Sequence, residues 1–430
     1  MPILSSNNLY SQSKIDFEEY GLDNGLHIIL HRDNSNPVVS VNIWYHVGSK
    51  DEDPKRSGFA HLFEHMMFQG SKNVGKAEHF SYIQKAGGIL NGTTSRDMTK
   101  YFQTVPSNQL ELVLWLESDR MMSLNVTQEN FDNQREVVKE EKRESYDNRP
   151  YGTWAIHMFN KAYQNHPYYM PPIGSMEDLN NASIEYAKSF YKRFYAPDNA
   201  VLVISGDIDY TVTKKLVQKY FDNIKPIKNT QKLYPDDNIL IGEIRDTISD
   251  NVQLPALFIG YKIPGIKSKD IYALDMLSSL LSDGKSSRLY KTLVYEKKIA
   301  KSVNSFVWEL ELGGLLIITA TGLKSSSASG RLEEIENQIY AEIEKLKKEA
   351  ASVNELEKIK NSVESDFVNR MQTVMGKSDL LAHYWTFFKN TDMINTDTEN
   401  FLNVTERDLS DAADKYLTQN NKVVLYYLPK

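Results

Sequence analysis

Short apolar runs and longer amphipathic stretches follow one another twice along the chain. Residues 26–31 and 38–46 are short and rich in β-branched and aromatic side chains, which predicts strands. The second half opens the same way near 253–261. A strand pair is expected there at about 302–310 and 315–321, followed by helices at about 331–348 and 353–371. Runs of strands followed by runs of helices predict an α+β fold, in which each antiparallel sheet carries helices on one face. The polar, turn-rich segment 225–232 closes the first domain, so the expected domains are 1–228 and 229–430. Residues 185–204 and 406–425 both read as a helix and then a strand. At an offset of 221 they align Glu185 with Glu406, Tyr195 with Tyr416 and Asn199 with Asn420, which predicts two copies of one plan.

A chain of 430 residues is too long for one core and suits about two domains. The net charge is −7, and Lys and Arg are interspersed with Asp and Glu, so no nucleic-acid surface is expected. No apolar run approaches a membrane span, and the polar N-terminal stretch has no signal-peptide core. As written, the chain is expected to be soluble and cytoplasmic, or periplasmic if a signal peptide has been removed. It has no cysteine, so any metal must be held by other side chains.

The strongest chemical signal is His61-Leu62-Phe63-Glu64-His65, which reads H-x-x-E-H. Residues four apart share a helix face, so both imidazoles can aim at one ion, with Glu64 close enough to reach a water on it. This is a zinc-peptidase signature. Chance produces such a five-mer in about one per cent of chains this long, so the flanks matter. Gly58-Phe59-Ala60 and Met66-Met67-Phe68-Gln69-Gly70 make the surroundings an apolar helix closed by glycine. Two His and a Glu are costly to bury there unless they are paired or metal-bound. A third ligand is expected among the carboxylates of 135–143, but position alone does not choose one. The remaining histidines, among them His27, His31, His46, His79, His157, His166 and His383, are given no metal role.

At this point the sequence resembles the pitrilysin and mitochondrial processing peptidase family, the inverzincins. The resemblance rests on the motif and on Val137-Val138 before a Glu. It extends through Gly87-Gly88-Ile89-Leu90-Asn91-Gly92-Thr93-Thr94, His166-Pro167-Tyr168, Ile173-Gly174-Ser175 and Phe194-Tyr195-Ala196-Pro197-Asp198-Asn199, and so covers nearly the whole chain. It implies two related α+β domains, the second without a metal site. It also implies one Zn2+ per chain on His61, His65 and Glu141, with Glu140 the alternative if the register slips by one. Glu64 would then take a proton from a water acidified by the ion and return it to the leaving amine. A peptide substrate would add to the edge of the strand 89–94, near Asn91, Gly92 and Thr93. Gly92 departs from the family's usual Ala.

Two further departures carry information. Gln134 stands where relatives often place another Glu, seven residues before the ligand, and is expected to support the ligands from behind. The family's C-terminal Arg and Tyr, seven apart, are replaced by Val294 and Lys301. This implies that a homologous partner supplies Arg and Tyr in a heterodimer, with an active homodimer as the alternative. The function expected is a zinc-dependent endopeptidase or oligopeptidase with an enclosed chamber. The competing reading is an inactive structural or peptide-binding core subunit of the same family.

Overall fold

The computed structural model describes residues 14–227, 234–235 and 242–430. The expected domain boundary at 228/229 lies outside the described residues. The first half builds a six-stranded sheet from β1 (Glu18–Gly21), β2 (His27–Arg32), β3 (Val38–Tyr45), β4 (Ile89–Thr94), β5 (Thr99–Pro106) and β6 (Ala200–Gly206), in the order β1-β2-β6-β3-β5-β4. The second builds a five-stranded sheet from β7 (Gly242–Asp250), β8 (Ala256–Ile263), β9 (Ala300–Glu309), β10 (Gly314–Gly322) and β11 (Asn421–Pro429), in the order β7-β11-β8-β10-β9. From β2 onward the first order is that of the second. In each sheet one pair is parallel, β2 with β6 and β7 with β11, and the other pairs are antiparallel.

The internal repeat is present, but its register is 222 rather than 221. Ser183 and Thr405 cap equivalent helices, Ile184–Phe194 and Glu406–Tyr416. The Asn199 amide donates to the carbonyls of Phe194 and His46, and the Asn421 amide donates to those of Tyr416 and Lys262. Asn421 is therefore the counterpart of Asn199. Adjacent asparagines at 420 and 421 hid the slip, because sequence matching cannot tell which amide reaches the neighbouring strand. The second half also begins earlier than expected, with β7. Only alternate residues of β7 are partly covered, and Glu243, Arg245 and Asp250 give it the look of a solvated segment.

Within each half the larger group of helices lies on one face of that half's own sheet. Ile28, Leu30, Val41, Ile43, Leu202 and Ile204 point into that core in the first half; Leu257, Ile259, Leu316, Ile318 and Val424 do so in the second. Strand residues of the other parity face outward, and these faces are covered by exchange. The helix Trp154–Ala162, from the first half, sets Met158 and Phe159 against Phe258, Leu315, Ile317, Val423 and Leu425. The helix Val374–His383, from the second half, and the turns after it set Leu381, Ala382, Tyr384 and Phe387 against Ile29, Trp44, Val201 and Val203. Gly260 allows the first of these contacts, since a Cβ there would lie 2.5 Å from Met158 Sδ.

Buried charges join the halves as well. Lys50 Nζ lies 3.0 Å from Asp97 Oδ1 and 2.8 Å from Glu311 Oε2, and His46 Nε2 lies 2.7 Å from the same Glu311 oxygen. Tyr168 donates to Asp97 at 2.6 Å. His46 thus has a structural partner in the opposite half. No helix among the described residues is long and apolar enough to cross a membrane.

Candidate metal centre

The H-x-x-E-H residues lie on a short helix, Phe59–Met66. Its apolar residues Leu62, Phe63 and Met66 are fully buried against the first sheet, while His61, Glu64 and His65 are only partly covered. A 3.6-residue repeat sorts them in this way. Tyr101, on β5, donates its hydroxyl to Phe63 O at 3.1 Å and anchors the middle of the helix to the sheet.

A second helix, Gln128–Lys142, starts at Thr127, whose hydroxyl accepts the Asn130 N–H at 3.2 Å. Its last turn brings Glu141 to the histidines: Oε1 lies 3.7 Å from His61 Nε2 and Oε2 lies 3.3 Å from His65 Nε2. One ligand atom from each of the three residues fits within 4.8 Å of the others, the one such cluster among the described residues. Glu140, the alternative ligand, is exposed and paired with Arg143 at 2.7 Å. Gln134 is buried one face-repeat back along the same helix, and with Glu141 it contributes to the upward pull on His65. Its amide also donates to Asn133 at 2.9 Å.

The electrostatics suit a cation. Burial, with His65 close by, pushes His61 down to about 4 despite Glu141, so its imidazole is neutral at neutral pH, as a ligand must be. Burial also acts to lower His65, but the hydrogen bond and charge of Glu141 outweigh it and the net direction is up. Glu141 is held below the ordinary carboxylate range, chiefly by its hydrogen bond to His65. Two imidazoles and one carboxylate converging from two helices match the three-ligand set of a catalytic zinc, and the residues therefore fit that ion.

Glu64 points to β4. Its Oε2 accepts the Thr94 hydroxyl at 2.7 Å, and burial raises its pKa against that hydrogen bond. Gly92 lies under the same side chain, where an added Cβ would come within 3.0 Å of Glu64 Cγ. β4 is an edge strand, paired with β5 alone. Its alternation places Gly92 and Thr94 on the Glu64 face and Asn91 and Thr93 on the opposite one. Asn91 is exposed and its Oδ1 accepts the Gly92 N–H at 3.0 Å, so its side chain does not join the ion-facing cluster. Sequence reasoning gave Thr94 no separate role. The signal was its parity, two residues beyond Gly92 on a strand already placed beside the motif.

In the second half, Val294 packs half-buried against the core and Lys301 is exposed at the start of β9. Lys298 between them adopts φ 53°. That left-handed conformation is one that favours glycine.

Residues 27–174 match the profile of "Insulinase (Peptidase family M16)", and residues 181–363 match that of "Peptidase M16 inactive domain". The chain belongs to peptidase family M16. The family includes the zinc protease PqqE of Helicobacter pylori, 32% identical over 98% of this chain and 95% of that protein. The structure of a protease from Helicobacter pylori superposes with a TM-score of 0.90 at 31% identity, over 97% of this chain and all of that one. The periplasmic protease PqqL from Escherichia coli shares the fold, with a TM-score of 0.79 at 18% identity; this M16 chain covers 48% of it.

Proposed function

We propose that this M16 protein is a zinc-dependent endopeptidase acting on oligopeptides, and that it is the zinc-bearing subunit of a heterodimer. The carrying observation is the convergence of His61, His65 and Glu141 beside Glu64, on the side of an unpaired sheet edge. His61, His65 and Glu141 would hold the ion, which when bound acidifies water and polarises a peptide carbonyl. Glu64, fixed by Thr94, is placed to accept a proton and hand it to the leaving amine. The open edge of β4 offers main-chain hydrogen bonds to an extended peptide, so recognition would depend little on sequence. Gly92 keeps the Glu64 side of that edge low.

Val294 and Lys301 support the partnered reading, as does the length of PqqL, about twice the span matched here. A homologous subunit carrying Arg and Tyr would complete an enclosed chamber. The test is zinc content and cleavage of quenched fluorescent peptides by the purified chain, alone and mixed with any homologous M16 subunit encoded beside it. The expected result is bound zinc in both conditions and cleavage only after mixing. Full cleavage alone would replace the heterodimer with a self-sufficient homodimer. Absence of zinc in both would favour the structural or peptide-binding subunit.

A further inference from the structure

The motif helix Phe59–Met66 starts without an ordinary cap. Gly58 precedes it with φ 94° and has no side chain to receive the free N–H groups of the first turn. The acceptors come instead from Glu52, six residues earlier in the preceding loop. Its Oε2 takes the Gly58 N–H at 2.9 Å and its Oε1 takes the Ala60 N–H at 2.8 Å. Glu52 is 3% exposed, and no cation pairs with it among the described residues. Burial pushes its carboxyl well above the ordinary range, opposed by these two N–H groups. A buried carboxylate without a counter-cation is costly unless it is well hydrogen-bonded, and the positive end of a helix is one of few groups that can offset it.

The same helix start is pinned on its other side. Asp178 Oδ2 accepts the Ser57 N–H at 3.1 Å and the Ser57 hydroxyl at 2.5 Å, and Ser57 Oγ accepts the Ser175 N–H at 2.9 Å. A Cβ on Gly58 would lie 3.0 Å from Ile173 O, so the backbone there is in close contact with this segment. Beyond this cradle the helix has two turns, and they carry His61 and His65. Ala60, whose N–H bonds Glu52, is the residue before the first histidine. A rotation or fraying of the first turn would therefore move His61 directly.

We propose that Glu52 is a positioning residue of the metal centre: it fixes the first turn of the motif helix and thereby sets zinc affinity without touching the ion. This rests on the zinc reading above, and the experiment separates the two. Zinc affinity of the full chain is measured by competition with a chromogenic chelator, for the native protein, Glu52→Gln and Glu52→Ala. Each value is corrected for the folded fraction by circular dichroism. Hydrogen exchange across 58–66 is followed in parallel. Glu52→Gln keeps the shape and one acceptor oxygen but turns an amide donor towards the other N–H. It is expected to weaken zinc binding on the order of tenfold, and Glu52→Ala up to about a hundredfold. Exchange should quicken in 58–66 while β3 and β6 stay protected. Native-like zinc affinity in folded Glu52→Gln, or unchanged exchange in 58–66, overturns the proposal. If the native chain itself binds no zinc, the zinc reading fails first and this inference fails with it.

Discussion

Thr94 and Glu64 are joined by a 2.7 Å hydrogen bond that runs from the last residue of the open edge strand to the carboxylate beside the two histidines. One strand would therefore both offer the edge proposed for peptide addition and orient the proposed base. Peptide addition and proton transfer would share a single rigid support.

Thr94→Val removes this bond while keeping the shape and strand preference of the side chain. A hydrogen bond to a charged group is worth about 1.5–3 kcal/mol, so kcat should fall roughly 10- to 100-fold. KM and zinc content should stay near native values, and Thr94→Ser should recover most of the rate. A change confined to KM would remove Thr94 from any role in orienting the base.

Glu64→Gln should retain zinc and lose cleavage by a factor on the order of 10²–10⁴, the usual contribution of a positioned proton carrier. Metal analysis and steady-state kinetics on the same sample decide this. Ordinary cleavage by the variant would contradict the proposed mechanism.

Glu141→Ala should abolish the response of thermal stability to zinc, whereas Glu140→Ala should leave it intact. Zinc at about a hundred times its dissociation constant should stabilise the native chain by about 2.7 kcal/mol, a rise visible in a melting curve. A zinc-responsive Glu141→Ala would displace that residue from the ligand set.

Burial works to raise the Glu311 pKa, but His46 and Lys50 outweigh it and bring the carboxyl down to about 2. Because the folded value lies below the unfolded one, near 4.3, its contribution is fully present above about pH 5 and fades as pH falls towards 2. Glu311→Gln should cost on the order of 2 kcal/mol at neutral pH. It should also flatten the loss of stability between pH 5 and 2, measured by urea denaturation. Parallel acid profiles for the two proteins would mean that the cluster joining the halves does not control acid stability.

Leu381 belongs to the second half but is fully buried against the first sheet. Leu381→Ala should cost about 2–5 kcal/mol. Faster hydrogen exchange should appear in β3 and β6, not only around residue 381. Loss of protection restricted to the second half would contradict the exchanged arrangement.

The sequence made the motif helix, β3, the pair β9–β10 and the long helices of the second half legible, because each has a strong period and clear ends. β7 escaped because a half-covered edge strand with Glu243, Arg245 and Asp250 carries little apolar signal. Spacing within a helix exposed the pairing of His61 with His65, whereas Glu141 needed the family resemblance, because long-range proximity leaves no local pattern. Glu52 was invisible for the same reason: its partners are backbone N–H groups, which no residue type announces. The exchange of helices between sheets also lay beyond local reading, since nothing in the residues of Val374–His383 tells which sheet they will cover.

That exchange has a consequence for the newborn chain. The outer face of the first sheet is built once β6 emerges at Gly206, but its cover begins at Val374, about 170 residues later. At ordinary translation speeds the gap lasts on the order of 10–30 s, long compared with the time a sheet needs to collapse. Ile29, Trp44, Val201 and Val203 would face solvent throughout that interval. Until that cover is made, the first half would carry an open apolar face, and premature termination upstream of residue 374 would release a sticky fragment instead of a small working domain.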